Sequence, residues 1–237
     1  MEAPELIYTA TFFEKQQNWS VAAASVVVPI ILEMFPRTKS VVDVGCGVGA
    51  WLAEFSRRGT TTVQGYDGGS ADPVQMKISP ECFQQVNLEQ PPKPSRRYDL
   101  ALCLEVGEHL PNSSARPFVN YLTELSDVVV FSAAVPGQGG RNHINEQPLS
   151  YWRKFFIEAG YDLYDPIRAR IWFDKRIPYW YRQNIVVAAK RGISETAALK
   201  RIEDGDLIDV VHPELLTTAR KEGAKKKKRD WRFWLRK

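Results

Sequence analysis

Short apolar runs and amphipathic stretches alternate along most of this chain. The runs at 40–44, 62–66, 82–86, 99–104, 128–132, 170–173 and 184–189 are mostly rich in β-branched and aromatic residues. Most are apolar on both faces, the pattern of strands buried between helix layers. Helical stretches fall between several of them, at 51–58, 114–125 and 148–159. Ahead of the first run, Ser20 suits the N-cap of a helix reaching about Phe35, where Pro36 ends it. Strand and helix in alternation predict an open, mostly parallel, doubly wound α/β sheet. Residues 1–19 read as an irregular lead-in to a core domain at 20–190. An extension at 191–219 follows, with a helical stretch at 194–203 and an apolar patch at Leu207, Ile208, Val210 and Val211. Residues 220–237 form a basic, aromatic tail.

Composition narrows the class without changing the architecture. The 237 residues are 44% hydrophobic and 25% charged, a globular balance that excludes wholly disordered and collagen-like chains. The net charge of +4 is unevenly placed. Residues 220–237 carry ten Lys/Arg against Glu222 and Asp230, which leaves the rest of the chain at net −4. Cys46, Cys82 and Cys103 cannot pair evenly and none lies in a CxxC spacing, so a reducing, cytoplasmic setting is expected. No signal peptide is expected at the N-terminus. The apolar run at 21–32 is too short to span a bilayer and reads as a buried helix.

The strongest local signal is Val41-Val42-Asp43-Val44-Gly45-Cys46-Gly47-Val48-Gly49-Ala50-Trp51-Leu52. A strand runs into a glycine turn and a helix follows, which brings free N–H groups and a closely approachable backbone to one place. The loose GxGxxA pattern admits a dinucleotide. Gly49 as third glycine and Asp43 two residues before Gly45 favour S-adenosylmethionine instead, because a carboxylate there can meet a cationic amino group. Asp67, about 20 residues past the glycines, stands where a ribose diol is gripped.

Residues 41–52 resemble motif I of class I S-adenosylmethionine-dependent methyltransferases. The stretch 98–111, with Glu105-Val106-Gly107-Glu108-His109, is similar to the fourth-strand motif of the subgroup containing ubiquinone-biosynthesis O-methyltransferases. The stretch 131–148, followed by Ser150-Tyr151-Trp152, resembles a branch of bacterial-type methyltransferases. The resemblance covers roughly residues 20–190. It implies a Rossmann-like, seven-stranded sheet whose last strand, at 184–189, is antiparallel. It also implies that Asp43, Gly45, Cys46, Gly47 and Gly49 line the methionine end of the cofactor and Asp67 the ribose. Asn87 and Leu88 would lie beside the adenine, and Glu105 would face the sulfonium or methionine moiety.

Methyl transfer to a hydroxyl needs a base or a metal to take the proton. His143 lies in a glycine-containing loop after the fifth strand, where ligands of open α/β sheets bind, and is the first candidate base. His109 shares a face with Glu105 if the segment after Val106 turns helical, and is the second. Arg141, Asn145, Glu146, Gln147, Tyr151 and Trp152 suit a hydroxylated acceptor such as a sugar, polar groups for hydroxyls and aromatic faces for a ring. Arg168, Arg170, Trp172, Tyr179, Trp180 and Tyr181 form an aromatic and basic cluster that reads mainly as core and sheet-edge packing. The alternative is that some of it lines the acceptor pocket, with Arg168 or Arg170 gripping an anionic group. His212 reads as structural. No paired-carboxylate spacing argues for a metal, so none is assigned.

The expected activity is O-methylation of a small or glycan-type acceptor. The alternatives are an RNA methyltransferase that uses the tail as an electrostatic arm, and a non-catalytic scaffold. The tail at 224–237 interleaves Lys/Arg with Trp231 and Trp234 and suits an anionic membrane surface, which would make the protein peripheral to a membrane. A disordered end or a nucleic-acid partner are the other readings of it.

Overall fold

A computed structural model describes residues 10–69 and 74–219, with side chains from Trp19 onward. The strands are β1 (Ser40–Val44), β2 (Thr62–Asp67), β3 (Phe83–Gln85), β4 (Leu100–Leu104), β5 (Val128–Ser132), β6 (Tyr161–Tyr164) and β7 (Val186–Lys190). They form one seven-stranded sheet in the order β3-β2-β1-β4-β5-β7-β6. The first five pair in parallel, and β7 runs antiparallel to both β5 and β6. This is the Rossmann-like sheet expected.

Alternation along each strand sorts the core into two layers. Val41, Leu100, Leu102, Val130 and Val187 face α1 (Ala10–Met34) and α2 (Ala50–Arg57). The short helices α5 (Arg168–Ile171) and α6 (Tyr179–Asn184) lie in the same layer, through Ile171 and Tyr181. Val42, Ala101, Cys103, Phe131 and Ala188 face α3 (Ala115–Leu125) and α4 (Leu149–Glu158).

Four expectations change. The first helix starts at Ala10, so Ser20 lies inside it and is no N-cap. Pro29 also lies inside it and cannot donate to the Ser25 carbonyl. Arg58 Nη2 takes that carbonyl instead, at 3.4 Å. Residues 170–173 are not a strand, because Arg168 and Ile171 turn inward together on α5. The sixth strand is Tyr161–Tyr164, which an apolar-run reading misses because Asp162 interrupts it. Asp162 is only 7% exposed there, and its carboxylate pairs with Arg191 and Arg201. The stretch 194–203 is helical only over Ser194–Thr196. No helix among the described residues is long and apolar enough to cross a membrane. The basic tail lies outside the described residues.

Candidate active site

The carboxyl ends of β1, β2, β4 and β5 converge where the strand order reverses between β1 and β4, the place where open α/β sheets bind ligands. A cavity of about 720 Å³ opens there.

One wall is the turn between β1 and α2. The Gly45 N–H (2.7 Å) and Cys46 N–H (3.1 Å) both donate to the Tyr66 carbonyl. Gly45 has φ +84, and a Cβ on it would stand 2.2 Å from Val106 Cγ2, so only glycine fits. Asp67 lies beside this turn, with Oδ2 accepting from Gly47 N–H and Oδ1 from Gly69 N–H, both at 2.8 Å. Asp43 is 2% exposed. Burial, helped by Asp67, pushes its carboxyl up to about 8. Asp43, Gly45, Cys46, Gly47, Asp67 and Glu105 all line the cavity.

Three residues assigned to the cofactor, Gly49, Asn87 and Leu88, do not line this cavity. A Cβ on Gly49 would point at Ile78 rather than into the cavity. Asn87 is exposed and its Oδ1 closes a turn by accepting from Glu89 N–H at 3.0 Å. Leu88 is buried in the core. Phe83 and Gln75 line the cavity on that side instead.

The opposite wall carries the histidines. Backbone N–H groups of Ile144 (2.9 Å) and Asn145 (3.0 Å) donate to the Glu108 carbonyl and tie the loop after β5 to the turn after β4. A Cβ on Gly140 would stand 2.1 Å from His143 Nε2, so its absence admits the imidazole. His143 Nδ1 lies 2.9 Å from Glu146 Oε1, and Glu146 also accepts the N–H groups of Gly137 and Gly139. With Nδ1–H donating to that carboxylate, the lone pair is on Nε2, 4.0 Å from Glu108 Oε1. The His109 ring stands edge-to-face on His143 at 4.9 Å, and its Nδ1 faces the Asn142 carbonyl at 3.2 Å. Partial burial, then His143, holds His109 below its ordinary value.

Glu108 is the residue that sequence reasoning passed over. The 3₁₀ turn Gly107–His109 swings it inward, fully buried, and neither carboxylate oxygen has a hydrogen-bond partner of normal geometry. Burial first, and Glu105 second, push its carboxyl well above the usual range. Among the described residues, Glu108, His109 and His143 bring ligand atoms within 4.8 Å of one another, a set fit for a divalent cation. The Glu-x-x-Glu-His spacing was the available signal, but spacing alone does not say which way Glu108 turns.

Most of the residues assigned to the acceptor lie away from this cavity. Arg141 lines the cavity, together with Asn142 and the histidines. Trp152 is fully buried, packed on Phe131 at 5.4 Å and against Gly107, so it offers no ring face to an acceptor. Tyr151 packs against the same core. Asn145 is 3% exposed and accepts from Gln147 and Asn112. Glu146 acts on His143 rather than at the cavity surface. Arg168 is buried, bonded to Asp165 and to the carbonyls of Gln183 and Ile208, while Arg170 pairs with Glu33. The aromatic lining comes from Trp19, Trp51, Tyr179, Trp180 and Tyr181.

Comparison with known proteins agrees with this geometry. Residues 20–128 match the family described as "Methyltransferase domain". Residues 20–128 thus form a methyltransferase domain. The ubiquinone biosynthesis O-methyltransferases of Klebsiella pneumoniae and Salmonella enteritidis are each 38% identical over 82 residues, 31% of this chain and 33% of theirs. The chain thus matches about a third of the length of these curated relatives. Among solved structures, DesVI of Streptomyces venezuelae superposes with TM-score 0.56 at 13% identity, over 76% of this chain and 95% of that one. The sugar N-methyltransferase KedS8 from Streptoalloteichus gives 0.56 at 14%, over 81% and 98%. Magnesium protoporphyrin IX methyltransferase from Synechocystis, solved with bound SAM, gives 0.50 at 18%, over 80% and 86%. These likenesses establish the fold.

The residues of the methyltransferase domain fit S-adenosylmethionine: a turn whose Gly45 admits no side chain, a carboxylate on the Gly47 N–H, and a buried carboxyl at Asp43 suited to an ammonium group. Asp43 yields a prediction. A cationic amino group opposite it favours the ionised form, so binding at pH 6.5 releases close to one proton per site. Titration calorimetry in buffers of differing ionisation enthalpy measures this, and Asp43→Asn abolishes the release.

Proposed function

We propose that the domain transfers a methyl group from S-adenosylmethionine to a hydroxyl of a small or glycan-type acceptor, with His143 as general base. The observation that carries this reading is one cavity shared by the glycine turn and by a histidine whose Nδ1 is held by a carboxylate. The cofactor supplies a methyl carbon activated by its sulfonium. Asp43 and Asp67 hold its methionine and ribose parts, and Glu105 faces the methionine end. Arg141 and the aromatic residues of α6 orient the acceptor. Glu146 fixes the His143 ring so that Nε2 accepts the hydroxyl proton. The curated relatives' names, which are O-methyltransferases, support the acceptor class. Arg141 is the one Lys or Arg among the described lining residues, set against Asp43, Asp67, Glu105 and Glu108. That balance disfavours a polyanionic nucleic acid.

The Glu108 oxygens, buried without a hydrogen-bond partner of normal geometry beside two histidines, favour a second reading of the proton step. A divalent cation held by Glu108, His109 and His143 would lower the pKa of a bound hydroxyl. In that case Glu146 orients a ligand instead of a base.

Incubation with methyl-labelled S-adenosylmethionine tests both. Label is expected in alkali-stable ethers of low-molecular-weight hydroxylated compounds and not in RNA. Loss of transfer in EDTA, restored by Mg²⁺ or Mn²⁺, selects the cation reading, and chelator-resistant transfer selects the free base. Label confined to RNA overturns the acceptor class.

A further inference from the structure

Glu105 ends β4 at φ +58, a conformation that a non-glycine residue holds only when its surroundings impose it. Its N–H donates to the Ser132 carbonyl and hydroxyl, at 3.0 and 3.1 Å. Its carboxylate is held by two amides. Gln138 Nε2 donates to Oε2 at 2.7 Å, and Asn184 Nδ2 donates to Oε1 at 3.1 Å. Asn184 Nδ2 also donates to Gln138 Oε1 at 2.9 Å, which locks the two amides together.

The chain of contacts continues away from the cavity. Gln183 Nε2 donates to Asn184 Oδ1 at 2.9 Å, and the backbone N–H of His212 donates to Gln183 Oε1 at 2.7 Å. Flipping either amide would set donor against donor, so the orientation of each is fixed by its neighbours. His212 is itself pinned. Its Nδ1 accepts from Glu214 N–H at 3.2 Å, and its Nε2 faces the Trp172 carbonyl at 3.0 Å. Arg182, 3% exposed, pairs with Glu214 at 2.8 Å. Gln183, Asn184 and His212 are 1%, 2% and 5% exposed, so water does not compete for these bonds. All three residues lie beyond 128, where the family match ends.

We propose that the C-terminal segment around His212 is a working part of the active site, and that Gln183 and Asn184 are positioning residues that pass its placement to the Glu105 carboxylate. This rests on the reading that Glu105 faces the cofactor. The His212 N–H orients Gln183, Gln183 holds the Asn184 carbonyl, and that fixes the Asn184 NH₂ against Glu105. Loss of the middle link leaves the Asn184 carbonyl without its donor, so that Gln138 alone holds the amide and its aim at the Glu105 carboxylate loosens.

The test is titration of S-adenosylmethionine into the full-length chain as wild type, Gln183→Met, Glu105→Ala and the double variant, with Tm measured for each. Gln183→Met is expected to weaken binding about tenfold, the scale of one buried hydrogen bond. In the Glu105→Ala background the same substitution is expected to change nothing further, because its effect has no carboxylate to act on. If Glu105→Ala binds as wild type, the assignment of Glu105 to the cofactor fails. If Glu105→Ala weakens binding but Gln183→Met does not, or the two effects add, the positioning role alone is overturned. Should Gln183→Met not fold, hydrogen exchange of the wild type decides: cofactor slows exchange of the His212 amide if the two ends are coupled, and unchanged exchange overturns the proposal.

Discussion

Replacing His143 with alanine is expected to lower methyl transfer by about 10²–10⁴-fold, the usual contribution of a positioned general base. Cofactor affinity should stay at the wild-type level, because the ring stands across the cavity from the glycine turn. Glu146→Gln should lower transfer by less. The amide oxygen can still accept from Nδ1–H at the 2.9 Å contact, but it no longer stabilises an imidazolium. Single-turnover rates on the labelled acceptor, with cofactor affinity measured in parallel, separate the two steps. Full turnover by His143→Ala would remove it from the chemistry.

The second large effect lies at the turn itself. Gly45→Ala adds a methyl group 2.2 Å from Cγ2 of Val106, a buried β-branched side chain with little room to turn, at a backbone φ of +84. Overpacking and left-handed strain each cost about 1–3 kcal/mol. Relief can come only from moving the turn, so the loss is expected in both stability and cofactor affinity. Gly47→Ala is the control: its φ is +52 but no atom lies within 4 Å of the added carbon. At about 2–4 °C per kcal/mol for a chain of this size, the Tm of Gly45→Ala should fall several degrees below that of Gly47→Ala. Equal Tm values for the two would mean that Val106 yields more easily than its burial implies.

What was legible in the sequence was local. The β1 turn, Asp43 and Asp67 follow from a strand, three glycines and a spacing, all set by backbone chemistry within about 25 residues. The sheet followed from alternating runs, except where one charged residue interrupted a strand, as Asp162 does in β6. The acceptor wall was less legible because burial is a tertiary property. Trp152 next to polar residues reads as a binding aromatic, yet Leu149, Trp152, Phe155 and Phe156 repeat at helical spacing and mark the core face of α4. Asn87 and Leu88 were placed by resemblance, and the cavity does not reach them. The amides that hold Glu105 come from 33 and 79 residues away, and no local pattern announces such pairs.

The central claim is that the cofactor's reacting end meets the Glu108, His109 and His143 wall. A crystal structure of the S-adenosylhomocysteine complex tests it most directly. The account predicts the thioether sulfur facing His143 across the cavity, with the ribose hydroxyls on Asp67. A ligand with its adenine on the histidine wall and its sulfur turned away would contradict it.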